Sequence, residues 1–147
     1  MNYIRDGRSP IPLNEFTSRV MSANKDRNTK PELIIRKELW KNGLRGYRLN
    51  YNKIPGRPDI AFPSQKLALF VHGCYWHRCP KCDLPLPKSN SSFWKDKFLK
   101  NKERDARKIR ELKKLGWRVI VFWECDVKQN KNGLIEKFRK VYYERKA

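Results

Sequence analysis

Acidic side chains are scarce in this chain of 147 residues, and so are long apolar stretches. Asp and Glu together number 15 against 35 Lys and Arg, which leaves a formal net charge of +20. This excess predicts a polyanionic partner, most simply a nucleic acid bound through its phosphates. The basic residues do not gather on one amphipathic helix, so a membrane surface is the weaker interpretation.

No run of about 18 apolar residues occurs, so we expect no membrane-spanning helix. The segment MNYIRDGRSP has no apolar stretch behind its basic residues, and we expect no secretory signal. A cytoplasmic location follows as the expectation, and in that compartment clustered cysteines bind metal more often than they form disulfides. Hydrophobic residues still make up 39% of the chain, which is enough for one domain with its own core.

Local patterns divide the chain into a polar arm at residues 1–28 and one folded domain at residues 29–147. The arm has a short helix predicted near NEFTSRVMSAN. The segment TKPELIIRKELWKNG predicts a longer helix, because Thr29 and Glu32 fit a capping box at its start and Gly43 fits its stop.

Strand patterns predict a mixed sheet at the centre of the domain. DIAF and KLALFV are short apolar runs that fit a β-hairpin. A long helix from about Phe93 to Leu115 then provides a crossover to a parallel strand in GWRVIVFWE, whose apolar character is typical of a central strand. A final helix is predicted over GLIEKFRKVYYERK. The expected fold class is α/β, a single domain with a mixed central sheet flanked by helices.

The long helix carries polar residues on its apolar stripe. Helical spacing aligns six residues, which are Trp94, Phe98, Asn101, Asp105, Ile109 and Leu112. A buried aspartate without a partner is costly. Either the helix leaves the core at its middle, or Asp105 faces a functional pocket that contains its partner.

The segment HGCYWHRCPKC, residues 72–82, holds both histidines and three of the four cysteines. The four thiolates of Cys74, Cys79, Cys82 and Cys125 would make a closed tetrahedral zinc site that fastens two strand ends together. His77 could replace one of them, although four thiolates already complete the shell. A redox pair at Cys79 and Cys82, or plain buried thiols, are the other interpretations.

A carboxylate lies where the two hairpin strands meet. GRPD opens the first strand and FVH ends the second, so Asp59 and His72 can converge at one end of the sheet. On a basic α/β domain this arrangement suggests metal-dependent phosphodiester cleavage. An ordinary Pro-Asp turn is the alternative for Asp59.

Two long segments strongly resemble the very-short-patch repair (Vsr) endonuclease family. They are MSANKDRNTKPELIIRKELW and GRPDI…LALFVHGCYWHRCPKC…SFWKDKFLKNKERDARKIRELKKLGWRVIVFWEC, and together they run from about Arg19 to about Cys125. The resemblance implies a single-domain nuclease with a restriction-endonuclease-like, PD-(D/E)XK-related fold. It implies nicking of double-stranded DNA 5′ to the thymine of a T·G mismatch, which arises from deaminated 5-methylcytosine. It also implies catalytic Mg²⁺, structural Zn²⁺ and a monomer, with other mismatch-repair proteins as candidate partners.

The same resemblance assigns catalytic roles. Asp59 and the backbone carbonyl of Val71 match the Mg²⁺ ligands. His77 matches the general base and Asp105 the aspartate that orients it. His72 stands where relatives of the fold carry a second acidic residue and a lysine. Both histidines are expected at the scissile phosphate, with His77 preferred as the base. Glu32 matches a further active-site acid, which its place in the capping box does not prevent.

Three residues match those that wedge into the duplex beside the mismatch, namely Met21, Tyr75 and Trp76. Core packing is the alternative for the two aromatic rings, but a tight polar loop between metal ligands is a poor place for it. This chain departs from the family at two positions, because the family commonly has histidine where Cys79 stands and phenylalanine where Tyr75 stands. A zinc-fastened DNA-binding module without catalysis, and a nuclease of the same fold from a restriction or mobile-element system, remain as alternative functions.

Overall fold

A four-stranded mixed sheet lies at the centre of the computed structural model, which describes residues 29–144. In chain order its strands are β1 (Arg48–Leu49), β2 (Ile60–Phe62), β3 (Leu67–His72) and β4 (Arg118–Trp123). Spatial order follows chain order, with β1–β2 and β2–β3 antiparallel and β3–β4 parallel. The predicted hairpin and the predicted parallel crossover are therefore confirmed. The expected arm, with Met21, lies outside the described residues.

The helices of this part of the chain are α1 (Lys30–Lys41), α2 (Cys74–His77), α3 (Ser91–Lys114) and α4 (Glu124–Tyr143). α1 begins as predicted, because Thr29 Oγ1 accepts a hydrogen bond from the Glu32 backbone N–H at 3.5 Å. Gly43 follows its end with φ +73°, which glycine adopts without strain. None of these helices combines the length and apolar character needed to cross a membrane.

Alternation along β3 assigns the two faces of the sheet. Leu67, Leu69 and Val71 belong to a core cluster shared with α1 and α4. Ala68 and Phe70 belong to the opposite cluster, which is shared with α3. Successive side chains of a strand point to opposite faces, so His72 continues the second series. The last residue of β3 is thereby directed to the side of the sheet that α3 covers.

The prediction of a central position for GWRVIVFWE is wrong. Within the described residues β4 is an edge strand that pairs with β3 alone, and of its six residues only Phe122 is buried. Its apolar run has another cause. The helix that precedes β4 and the helix that follows it lie against the sheet, and a parallel strand covered in this way is apolar even at an edge.

The last helix begins earlier than predicted. α4 starts at Glu124, directly after β4, and its backbone is broken at Asn130 (φ −150°, ψ 50°). Asn130 Oδ1 accepts a hydrogen bond from the Gly133 N–H at 3.3 Å, so it caps the second part of the helix, the part that was predicted. The first part places Cys125 in a helical turn directly after β4.

Candidate active site and cysteine cluster

Two groups of side chains follow β3 in the chain and share the short helix α2. One is a cluster of four cysteines and the other contains His72, His77 and Asp105. α2 lies directly after Gly73, and the preceding strand residue, His72, is paired in register with Trp123 of β4. The parallel pairing of β3 and β4 therefore brings both strand ends, and the residues that follow them, to one edge of the sheet.

The predicted cysteine ligands come together. The Sγ atoms of Cys74, Cys79, Cys82 and Cys125 lie within 4.8 Å of one another, and no two of them form a disulfide. Bonds of about 2.3 Å to zinc place tetrahedral sulfur atoms about 3.8 Å apart. The Cys79 and Cys125 sulfurs are 3.8 Å apart, so this donor set fits a structural Zn²⁺. The distance is far longer than a disulfide bond of about 2.05 Å.

Backbone and charged groups hold the cysteine cluster between α2 and α4. The Cys125 N–H donates to Cys74 Sγ at 3.3 Å, and the Cys74 N–H donates to Glu124 Oε1 at 3.4 Å. Lys81 and Asp126 form an ion pair across the same junction. Burial raises the pKa of the Cys74 thiol, because a thiolate is poorly solvated there without a cation. A bound metal ion would offset that penalty.

The predicted partner of Asp105 is present. His77 Nδ1 lies 2.6 Å from Asp105 Oδ2, and the two side chains are 30% and 15% exposed. Burial opposes ionisation, but the hydrogen bond with His77 holds the pKa of Asp105 below its ordinary value. An ionised carboxylate only accepts hydrogen bonds. Nδ1 is therefore the donor, and Nε2 keeps a lone pair that can take a proton.

Asn101 fixes α2 to α3 at a second point, and this contact was not predicted from the sequence. Its Nδ2 donates to the backbone carbonyl of Trp76 at 3.2 Å, one helical turn before Asp105. Its position on the apolar stripe was the only available signal, because a bond to a backbone carbonyl leaves no trace in the sequence of the acceptor. Asn101 and Asp105 together fix α2 against α3.

His72 is the buried member of the pair of histidines. It is 6% exposed, and its ring stacks on that of His77 with centroids 4.0 Å apart and planes 6° apart. Burial lowers the pKa of His72 to about 4, so it is neutral at physiological pH. An imidazole lone pair lies in its ring plane, and two parallel stacked rings cannot direct lone pairs at one ion. The group His72, His77 and Asp105 is therefore better suited to proton transfer than to metal binding.

Asp59 lies at the start of β2 and binds β3. Its Oδ2 accepts a hydrogen bond from the Val71 backbone N–H at 2.7 Å. Burial, with a smaller contribution from the charge of nearby Glu32, which is only 2% exposed, raises the pKa of Asp59 from 3.8 to about 6. A carboxyl group in a poorly solvated position favours a bound cation, and a carboxylate oxygen suits Mg²⁺. Glu32 already forms an ion pair with Arg36 at 3.5 Å, so Asp59 is the better candidate ligand. The sequence-predicted residues Asp59, Val71 and Glu32 are thus brought together.

Tyr75 and Trp76 are half-buried and pack on α3. The Tyr75 ring meets Phe98 with centroids 5.4 Å apart, and the Trp76 ring meets Trp94 at 5.7 Å. The guanidinium of Arg78 lies 4.5 Å above the Phe98 ring. The polar neighbours of these rings in the sequence concealed this packing, because the apolar surface comes from another element. Both side chains remain partly exposed.

Comparisons with known proteins identify the family of the chain. The model of a family described as "DNA mismatch endonuclease Vsr" matches residues 14–83. The chain is 45% identical over 111 residues to the "Type II nicking enzyme V.NmeAIP" of Neisseria meningitidis, a match that covers 74% of this chain and 77% of that protein. It is 39% identical to the "Type II nicking enzyme V.NaeI" of Lentzea aerocolonigenes, with coverage of 84% and 76%. It is 38% identical to the "DNA mismatch endonuclease Vsr" of Escherichia coli K12, with coverage of 74% and 69%.

Proposed function

Because the chain belongs to the DNA mismatch endonuclease Vsr family, we propose that it nicks duplex DNA 5′ to the thymine of a T·G mismatch in a Mg²⁺-dependent reaction. It is a DNA endonuclease that nicks one strand, as its relatives are. The observation that carries the proposed catalysis is the 2.6 Å hydrogen bond between His77 and Asp105, at a site that also contains Asp59. A module that only binds DNA has no use for an oriented base beside a buried carboxylate.

We assign the proton-transfer steps to the chain's own residues. Asp59 and the Val71 carbonyl would hold Mg²⁺, which when bound polarises a phosphate and acidifies a water. His77 Nε2 would take the proton of the attacking water, and Asp105 would stabilise the resulting imidazolium. His77 is preferred over His72 because it is the more exposed of the two and has the oriented tautomer. His72 would keep the His77 ring in place through the stack.

Mismatch recognition is proposed for Tyr75 and Trp76, together with Met21 of the arm. A mismatched base step is easier to unstack, and apolar side chains can enter the opened gap. Contacts of α2 with α3 would hold the two rings rigid while one side of each remains accessible. The net charge of +20 would supply phosphate contacts that do not read sequence.

The fold and the metal assignments complete the proposal. A restriction-endonuclease-like fold is proposed from the family resemblance and agrees with the mixed sheet. Zn²⁺ is proposed at the four cysteines, where it would fasten the end of β3 to the start of α4. A monomer that acts on DNA in the cytoplasm, with other repair proteins as partners, is the proposed setting.

A nicking assay tests this function. Three otherwise identical duplexes with T·G, T·A or C·G at one position are incubated with the protein in Mg²⁺ or in EDTA. We expect nicking of the T·G duplex alone, on the thymine strand, and only with Mg²⁺. Equal cutting of all three duplexes would reject the mismatch preference. Tight binding without cutting would favour the non-catalytic module.

A nicking enzyme that accompanies a restriction system is a second candidate, favoured by the names of two relatives, both called type II nicking enzymes. Both candidates require the same chemistry, and they differ in the sequence around the mismatch. To separate them, nicking is measured on T·G mismatches placed in a library of flanking sequences. Cutting confined to one flanking sequence would indicate an enzyme that serves one restriction system.

A further inference from the structure

Lys108 on α3 lies against the loop that leads to Asp59. It follows Asp105 by one turn of the helix and is half-buried. A Cβ built at Gly56 would be 2.9 Å from Lys108 Cβ, 3.1 Å from its Cγ and 3.5 Å from its Cδ. The backbone of Gly56 (φ +83°) therefore touches the lysine stem, just before the chain reaches Asp59.

The ammonium group of Lys108 is close to the charges of the site. Burial is the largest single influence on the pKa of each of Asp59, Asp105 and His72, and the positive charge of Lys108 acts to lower all three values. Within residues 29–144 this ammonium has no hydrogen-bond or ion-pair partner. A lysine whose stem is held in place, and whose charge has no protein partner, is available to an anionic ligand.

The strands that carry the site provide no cation of their own. β2 reads IAF and β3 reads LALFVH, so neither contributes a lysine or arginine beside Asp59. Apart from the proposed Mg²⁺, a phosphodiester in this site would be faced by carboxyl groups and by a neutral His72, and these protein groups would not compensate its negative charge. α3 is the element that can supply the missing positive charge.

We propose that Lys108 contacts the DNA phosphate at the active site and stabilises the negative charge that develops on it during cleavage. The proposal rests on the proposed nuclease function and deepens it. Its chemistry is electrostatic, since an ammonium directed at a phosphate oxygen is most effective in a partly water-excluded site. An ordinary solvated lysine is the plainer interpretation, but exposed lysines of α3 such as Lys114 have no comparable packing of the stem.

The test compares Lys108→Met, which keeps the apolar stem, with Lys108→Arg, which keeps the charge. Lys114→Met is the matched control, because it removes the same charge from an exposed position about 120° around α3 from Lys108. Single-turnover nicking of the T·G duplex is measured with Mg²⁺ at saturating protein, so that weaker DNA binding does not affect the rate. We expect a rate about 10- to 100-fold lower for Lys108→Met, substantial recovery for Lys108→Arg, and an unchanged rate for the control.

Circular dichroism and thermal melting establish that each variant is folded, and Lys108→Gln replaces Lys108→Met if the latter is not. An active parent together with a parent-like rate for the neutral variant would overturn the role of Lys108 alone. Equal losses in Lys108→Arg and Lys108→Met would also overturn it, because the charge would then not matter. A parent that nicks none of the duplexes would overturn the proposed function and this role together.

Discussion

Asp59→Asn should make the metal-free protein more stable while abolishing nicking. Burial raises the pKa of Asp59 from 3.8 to about 6, which means that the folded protein disfavours the ionised form. The sign follows by linkage. A carboxyl group with a raised pKa destabilises the fold progressively as the pH rises through this interval, and its contribution is constant above it.

The magnitude can be worked from the same interval. A pKa difference of about two units, at about 1.4 kcal/mol per unit, gives an upper limit of about 3 kcal/mol for the gain in the free energy of unfolding. Asparagine keeps an oxygen that can accept the 2.7 Å hydrogen bond from the Val71 N–H, so little of this is lost again. We expect the free energy of unfolding to rise by about 1–3 kcal/mol at pH 8, and the gain to disappear near pH 4.

Denaturant unfolding of parent and variant without added Mg²⁺, at pH 4 and pH 8, measures this difference. Asp96→Asn is the control, since Asp96 forms an exposed ion pair with Lys100 on α3 and should change the free energy by less than about 0.5 kcal/mol. Added Mg²⁺ should stabilise the parent and leave Asp59→Asn unchanged. If the variant is less stable than the parent at pH 8, then Asp59 is not held in a poorly solvated site, and this reasoning fails.

Three further perturbations address the base, the cysteine cluster and the loop before Asp59. Asp105→Asn should slow single-turnover nicking by about 10²- to 10³-fold, because the amide no longer fixes the His77 tautomer; a rate within threefold of the parent would reject His77 as the oriented base. Purified protein should contain about one zinc per chain, and Cys125→Ser should lower the melting temperature; protein without zinc, or a variant that melts like the parent, would contradict the metal assignment. Gly56→Ala should destabilise the fold by about 1–2 kcal/mol through its positive φ. The loss should exceed that of Gly46→Ala, because Gly46 has a similar φ of +86° but no atom within 4 Å of the added carbon. Equal losses would show that contact with the stem of Lys108 is unimportant.

Local patterns were sufficient where the information is carried by one element. The capping box of Thr29 located the start of α1, and the stripe on α3 predicted that Asp105 needs a partner. Patterns failed where a second element decides. The apolar run of β4 resembles that of a central strand because helices cover it, and α4 begins early because its first turn is held to α2 by Glu124. No periodicity in one segment encodes such contacts.

The resemblance supplied roles that spacing alone left open, and the geometry then separated residues that the sequence had grouped. In the segment from His72 to Cys82, the three cysteines join Cys125, while the two histidines stack on each other. Tyr75 and Trp76 proved to be packed on α3 as well as accessible. One short helix can serve both groups because successive side chains of α2 leave it in different directions.

The face of α3 that meets the site accounts for its arrangement. Asn101, Asp105 and Lys108 recur at the spacing of helical turns. A single helix therefore presents an amide to the backbone of α2, a carboxylate to His77 and a lysine stem to the loop that leads to Asp59. Earlier on the same helix, Trp94 and Phe98 bind the rings of α2. The polar half of the stripe would be unstable against an apolar core. It is stable because β3 ends there in His72, and α2 then offers polar partners in place of further strand. The departure of α3 from a regular amphipathic pattern is therefore the sequence signature of the site itself.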